Sequence, residues 1–466
     1  MNRIFLPLLA LAGFAQAAVA QTTYLEIGYK SLTEVESLAA QYGLPQALFN
    51  PVTSVAAYRM TYPMPFLGDT ILVSGAVFEP VDLAADCPNP VHLYAHGTVF
   101  ERENTPSFLN YEGELGFLMA GLGFTVVMPD YVGLGTDEAH LHPYVHAESE
   151  ADAGVFMLDA LFGGSPAGAG LHDASQIFLS GYSQGGHAAA AIHRLIEAER
   201  PEYAVVAAAP GSGPYDISGT QFPWTFADDS YSNPAYLAYV ALAWQSVYGN
   251  LYTDLSDYFQ EPYASDLTSL FDGATSGAEI NAALPVLTAD FAQPGLLATL
   301  LEPGNPFLLA AENNDVHAWA PQAPTRLYYC TEDEQVFYEN ALVAESAMQS
   351  AGAADVQALN LGAFDHTGCA GQAIFGAALW FSQLAAVCEP SLARELANAS
   401  QPLSPNPASN RALWPSLGPD DAWEAFTAMG KRMGAGSGPE IAVGDWPVGT
   451  YILRAGGLTQ RLVVGH

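Results

Sequence analysis

From Tyr58 to Ala209 short apolar runs, among them Val91-His92-Leu93-Tyr94, Phe124-Thr125-Val126-Val127-Met128 and Ile177-Phe178-Leu179, alternate with longer segments of helical period. Runs without polar interruption read as strands buried on both faces, and the segments between them read as crossover helices. The expected architecture is α/β, a mostly parallel sheet covered on both sides. Ahead of it, Tyr24 to Gln41 is expected to form one helix. After Pro210-Gly211-Ser212-Gly213 the rhythm breaks, and residues 212–320 carry helical and loop character before strands resume at Thr325-Arg326-Leu327-Tyr328-Tyr329-Cys330 and Asp355 to Leu361. That is too long for a simple connection. An insertion at the carboxyl ends of the strands is expected to form a cap where ligands enter. A second boundary falls at Ser391 to Pro407, where Pro, Ser, Asn and Ala replace the apolar rhythm, and short strands and turns follow to the end.

The candidate chemistry lies at one strand end. Gly181-Tyr182-Ser183-Gln184-Gly185-Gly186-His187 joins the run Ile177-Phe178-Leu179 to the Ala-rich stretch Ala188-Ala189-Ala190-Ala191. A strand, a glycine-flanked serine and a helix make a nucleophile elbow, in which the sharp turn projects the hydroxyl. Serine is a weak nucleophile and needs a base and a group to orient that base. In chains with this elbow the order is serine, acid, histidine. Thr331-Glu332-Asp333-Glu334 follows a strand, and Asp333 is the preferred acid over its neighbours Glu332 and Glu334. His366 follows the next strand and precedes an amphipathic helix, which suits the general base. His187 and His317 follow no strand end and read as packing residues, and the spacing of His140, His142 and His146 fits no zinc pattern. For the oxyanion, the backbone N–H of Gln184 is the first expected donor. The second comes from either Ala95-His96-Gly97-Thr98 or Pro129-Asp130-Tyr131, which the residues alone leave open.

These motifs, with Asp365-His366-Thr367-Gly368-Cys369, resemble an α/β-hydrolase of the secretory lipase (lipase A-like) group from about Tyr58 to about Phe381. The resemblance implies an α/β-hydrolase fold with a helical cap. It also implies an aspartate in the oxyanion hole, tipping the second donor toward Asp130 over Thr98. Gln184 departs from the glycine often found after the family's serine, but only its backbone is required. Over roughly the last 65 residues the chain resembles a type IX secretion C-terminal sorting domain, a small β-sandwich, through its Pro-Asn-Pro-Ala-Ser start and its Gly-Thr-Tyr-Ile-Leu-Arg and terminal Leu-Val-Val segments.

Composition bounds the possibilities further. Asn2-Arg3, the apolar stretch Ile4 to Phe14 and Ala18-Val19-Ala20 ahead of Gln21 read as a secretory signal, too short to span a membrane. The expected organisation is therefore residues 1–20 as signal, 21–392 as the α/β domain with its cap at about 212–320, and 400–466 as the sorting domain. Export permits disulfides, and the four cysteines show no C-x-x-C spacing. Cys330 and Cys369 lie on the loops of Asp333 and His366, whereas Cys87 and Cys388 are expected at the opposite end of the sheet, so the expected pairs are 330–369 and 87–388. A formal net charge of −36 with only Lys30 and Lys431 as lysines disfavours nucleic acid and anionic membrane surfaces as partners. Between Arg200 and Arg326 there is no Lys or Arg, while Phe222, Trp224, Phe226, Tyr236, Tyr239, Trp244 and Tyr248 crowd the start of the insertion. A phosphate or carboxylate ligand would ordinarily require a cation there.

The expectation is a secreted, monomeric serine carboxylic-ester hydrolase for neutral apolar acyl or aryl esters, with no metal or organic cofactor. Its partners would be a small-molecule or lipid ester and the type IX secretion machinery. A serine peptidase of the same fold and a non-catalytic secreted binding protein are the alternatives.

Overall fold

A computed structural model describes residues 21–44, 54–81, 87–166, 171–227, 231–387, 408–414, 417–419, 421–427, 431–455 and 458–465. The expected signal at 1–20 and residue 388 of the expected Cys87–Cys388 pair lie outside them.

A nine-stranded sheet runs in the order β1-β2-β3-β5-β4-β6-β7-β8-β9. Its antiparallel side is β1 (Thr23–Ser31), β2 (Ser54–Phe66) and β3 (Asp69–Val81). The remainder, β4 (Pro88–Ala95), β5 (Thr125–Pro129), β6 (Leu171–Tyr182), β7 (Val205–Gly211), β8 (Thr325–Tyr329) and β9 (Val356–Asn360), is parallel. One face is covered by α1 (Leu32–Gln41), α2 (Tyr111–Gly121) and α12 (His366–Leu384). The other carries α3 (Ala147–Gly163), α4 (Gln184–Glu199) and α11 (Glu339–Ala351). Leu93, Val127, Ile177 and Leu179 pack from the sheet against Leu158 and Ile192, all fully buried. The chain leaves β4 to place β5 on one side and β6 on the other. The order of strand addition reverses there while the strands stay parallel, and such a switch point opens a crevice at the carboxyl ends of the strands.

The expected N-terminal helix is half strand. Thr23–Ser31 pairs antiparallel with β2, with a bulge between Glu26 and Gly28. Its β-branched and aromatic residues suit a pleated surface, and Gly28 admits the close approach of Leu109 and Phe117. The helix begins only where Ser31 and Glu34 form a capping box.

Between β7 and β8 the insertion folds as short helices, including α5 (Phe222–Thr225), α6 (Pro234–Tyr248), α7 (Tyr263–Leu270), α8 (Gly277–Ala283), α9 (Leu296–Leu300) and α10 (Pro306–Asn314). Trp244, Phe222, Tyr239, Phe291 and Phe307 give it a hydrophobic core of its own. A separate compact unit holds the described residues from 408 onward. It pairs β10 (Arg411–Leu413) with β13 (Glu440–Ala442) and builds a second antiparallel sheet from β12 (Arg432–Ser437), β11 (Ala422–Thr427), β14 (Gly449–Ala455) and β15 (Leu458–Val464) in that order. Trp414, Trp423, Ile441 and Leu453 fill its core.

His92 at the centre of β4 is fully buried among Phe124 and Phe381, and its Nε2 lies 2.7 Å from Ser180 Oγ. Burial lowers its pKa to about 3 from 6.5. The unfolded chain therefore binds a proton that the folded ring refuses, and stability present above pH 6.5 is lost as the pH falls toward the folded value. His92→Gln should make the acid-side decline in urea-unfolding free energy shallower, by up to about 1.4 kcal/mol per pH unit. Parallel slopes for the two proteins would refute this assignment.

Candidate active site

β6 delivers Ser183 into a turn with φ 61° and ψ −122°, and α4 starts at the next residue. The elbow is packed backbone to backbone. A Cβ on Gly185 would overlap the carbonyl of Ala95, and one on Gly181 would overlap the carbonyl of Gly185. Side chains at these positions would push the turn out of the sheet, so glycine is a steric requirement. The Ser183 N–H donates to Gly211 O at 2.9 Å, tying the strained residue to β7.

The loops after β8 and β9 bring the other two groups. Ser183 Oγ stands 2.9 Å from His366 Nε2, and His366 Nδ1 stands 2.9 and 2.8 Å from the two carboxylate oxygens of Asp333. A carboxylate facing Nδ1 holds the hydrogen there and leaves Nε2 free to accept from serine. Asp333 is buried, and the Gln335 and Val336 N–H groups donate to its Oδ1 at 3.0 and 2.9 Å. Neither neighbouring glutamate takes this place. Glu332 is exposed, and Glu334 accepts the His366 backbone N–H at 3.0 Å. Burial opposes ionisation of Glu334, but that amide and the Gln335 side chain outweigh it and hold the carboxyl below the ordinary range. On the other side the Tyr182 hydroxyl donates to His366 O at 2.6 Å. Histidine is thus clamped through its main chain as well as its ring. Cys330 and Cys369 form the expected disulfide, joining the Asp333 loop to α12.

Gln184 is the first residue of α4, so its N–H has no intrahelical acceptor and points from the positive end of the helix dipole. The expectation for Asp130 is corrected. Its N–H donates to Ser74 O at 2.9 Å within the sheet, and its carboxylate accepts from Ser74 Oγ at 2.6 Å and the Ser107 N–H at 3.1 Å. No donor is left for an oxyanion. Thr98 follows β4, with its Oγ1 donating to Tyr144 OH at 3.0 Å, and Tyr144 lines the same cavity as Ser183. Among the described residues its N–H finds no acceptor.

That cavity is lined by Ser183, Gln184, Tyr144, Phe222, Tyr236, Leu237 and Val240. Phe222, Leu237 and Val240 also border a second, apolar cavity inside the cap, with Phe226, Phe291 and Phe307 on its walls. Phe222 and Tyr236 therefore face the site, whereas Trp244 is fully buried and donates to Tyr144 O at 3.2 Å.

The remaining histidines are placed by hydrogen bonds that spacing did not reveal. His142 Nδ1 faces Val132 O at 2.9 Å, His146 caps α3, and His140 meets the Asp137 carboxylate at 2.9 Å. His187 lies between Glu150 and Asn314 O, at 2.6 and 2.7 Å. Ligand atoms of Asp216, Asp315 and His317 lie within 4.8 Å of one another. Both carboxylates are already occupied by Gly219, Thr220 and Ser218 donors, which makes the cluster a turn-capping arrangement.

A sequence model described as secretory lipase matches residues 114–381, more than half of the chain. The chain belongs to the secretory lipase family. No curated protein matches it. Among solved structures, the rice cell wall degrading esterase LipA from Xanthomonas oryzae is 27% identical with a TM-score of 0.67, covering 78% of this chain and 96% of that one. A putative hydrolase from Legionella pneumophila is 26% identical with a TM-score of 0.71, covering 78% and 97%. Candida antarctica lipase A, at 14% identity and a TM-score of 0.54 over 77% and 82%, shares the fold. The secretory lipase family and its esterase neighbours make the chain a carboxylic-ester hydrolase of the α/β-hydrolase fold. Among the described residues no helix is long and apolar enough to cross a membrane.

Asp333→Asn preserves the shape of the acid but turns an N–H donor toward Nδ1. The expected loss in kcat is about 10⁴-fold with the fold intact, measured by ester hydrolysis beside circular dichroism. A variant within tenfold of the native rate would remove Asp333 from its role.

Proposed function

We propose that the protein is a secreted serine esterase or lipase that cleaves neutral esters with apolar acyl or aryl groups through an acyl-enzyme on Ser183. The observation that carries this reading is the unbroken hydrogen-bonded line Ser183–His366–Asp333 at the wall of an apolar cavity.

In the reaction, His366 Nε2 takes the hydroxyl proton as Ser183 Oγ attacks the ester carbonyl. The carbonyl oxygen becomes an anion, and the Gln184 N–H and Thr98 N–H are assigned as its donors. Collapse of the tetrahedral adduct breaks the bond to the alcohol oxygen, and His366 returns the proton to that oxygen. Water then repeats the sequence on the acyl-enzyme, and the acid leaves. Asp333 stays ionised throughout and supports the imidazolium that forms between the two transfers.

The substrate class follows from the walls. An acyl group attached to Ser183 meets Phe222, Leu237 and Val240, beyond which lies the phenylalanine-lined cavity of the cap. With no Lys or Arg between 200 and 326, an anionic chain entering there would lose its water without a cationic partner. Export through a signal at residues 1–20, delivery by a sorting domain at 400–466 and action as a monomer complete the proposal. The separate core of the C-terminal sheets, which carries no member of the Ser183–His366–Asp333 line, supports the division of labour.

Ser183→Ala should reduce hydrolysis of p-nitrophenyl esters by about a million-fold without unfolding the protein, and a fluorophosphonate should modify Ser183 alone. Retained turnover in that variant would overturn the reading. Val240→Trp should close the passage between the cavities, so that a chain-length series shifts its optimum to shorter acyl groups. An unshifted optimum would place the acyl chain elsewhere.

A further inference from the structure

Behind the elbow lies a buried polar chain that the triad does not touch. Gln184 is 1% exposed, and its Nε2 stands 2.7 Å from His142 Nε2 and 2.8 Å from Glu150 Oε1. His142 Nδ1 faces the Val132 carbonyl, which can only accept, so the ring hydrogen sits on Nδ1. Burial lowers this imidazole's pKa to about 3, which leaves Nε2 a bare acceptor. The Gln184 amide therefore donates both of its hydrogens, and flipping it would set its oxygen against a carboxylate.

Glu150 is held in turn. Its Oε2 stands 2.6 Å from His187 Nδ1, and His187 Nε2 stands 2.7 Å from the Asn314 carbonyl. That carbonyl requires a hydrogen on Nε2, so one proton between Nδ1 and Oε2 completes the chain, whichever atom carries it. Both side chains are fully buried. Asn314 accepts the Ala147 N–H at 2.9 Å and donates to Tyr248 OH at 3.1 Å, which fixes the far end to α3 and α6.

We propose that Glu150 and His187 are positioning residues for the oxyanion hole: through the Gln184 side chain they fix the Cα of Gln184 and so aim its backbone N–H at the developing oxyanion. The need for such a device is local. Ser183 holds a strained backbone that persists only when its surroundings over-determine it, and the Gln184 N–H has no helical acceptor to orient it. The side chain after the nucleophile is pinned at two points to α3 and to the loop carrying His142, and those pins set the direction of the amide beside it. The inference rests on the reading of Ser183 as nucleophile.

The carboxamide of glutamine can reproduce every bond of Glu150. Its oxygen accepts from Gln184 and its NH₂ donates to a neutral His187. Leucine at 150 can do neither. With a p-nitrophenyl ester, Gln184→Leu and Glu150→Leu should each lower kcat by about 100-fold while KM stays within about threefold, and affinity for an alkyl boronic acid, which forms a tetrahedral anion on serine, should fall in parallel. Glu150→Gln should recover most of the kcat lost in Glu150→Leu. If a leucine variant does not fold, Gln184→Asn, one methylene too short to reach both partners, carries the same expectation. Folded variants with native kcat and boronate affinity overturn the proposal, as does a Glu150→Gln protein as impaired as Glu150→Leu. Ser183→Ala separates the two levels. If it is inactive while these variants are unaffected, only the positioning role fails, and if it retains turnover the nucleophile itself is wrong.

Discussion

The contact on which the molecule turns is the approach of the Ala95 carbonyl to Gly185 across the end of the sheet. Ser183 at φ 61° costs about 1–3 kcal/mol relative to relaxed backbone. It stays there because β4 and β7 press on the elbow from both sides, the first at Gly185 and the second through the Gly211 carbonyl. Strands at this spacing leave no volume for a Cβ, so the sequence must supply glycine before and after the serine. The same packing starts α4 directly behind Ser183. A strained serine, a helix N-terminus without an intrahelical acceptor and a crevice at the switch point are thus one geometric fact.

The other two groups stand on weaker ground, since β8 and β9 lie at the edge of the sheet. A strand pair with only one neighbour constrains its loops less than β4 and β6 do. Compensation is visible on the loops themselves. The Cys330–Cys369 disulfide spans 39 residues and joins the Asp333 loop to α12, Glu334 holds the His366 N–H, and Tyr182 holds its carbonyl. A cross-link acts chiefly on the unfolded ensemble and contributes about 3–4 kcal/mol for a loop of this size, a contribution available only to a protein that matures in an oxidising compartment. The alignment of Asp333 with His366 is thereby coupled to the redox state of that bond.

What could be read from the chain was local in sequence. The elbow declares itself because strand, turn and helix are contiguous, and Asp333 stands apart from Glu332 and Glu334 because each follows β8 at a different offset. The second oxyanion donor could not be read, because a backbone N–H has no residue signature. Asp130 is favoured only by the family resemblance, and its side chain serves Ser74 and Ser107. At the amino end, Ser31 and Glu34 announce the helix start, but the pairing of Thr23–Ser31 depends on β2, which is distant along the chain. His187 looked like a packing residue for the same reason. Its partner Glu150 is 37 positions away, and only tertiary structure brings the proton between them.

The cap is built separately from this rigid base. Its helices pack on their own aromatic core, distinct from the cluster beneath the sheet, and meet the hydrolase body through a few directed bonds such as Trp244 Nε1 to Tyr144 O and the Ala147 N–H to Asn314. Exchanging a cavity-lining side chain there alters the space beyond Ser183 without changing any bond that holds the elbow. The constraint that survives is electrostatic. A carboxylate moved into this cap would exchange its water for phenyl rings, at a cost that no residue between 200 and 326 can offset with a full positive charge. In the proposed reaction the size of the acyl group is therefore adjustable by single substitutions, whereas acceptance of an anion would require a new cation and a route for its solvation. On the proposed reading, the neutrality of the substrate is built more deeply into this fold than its length.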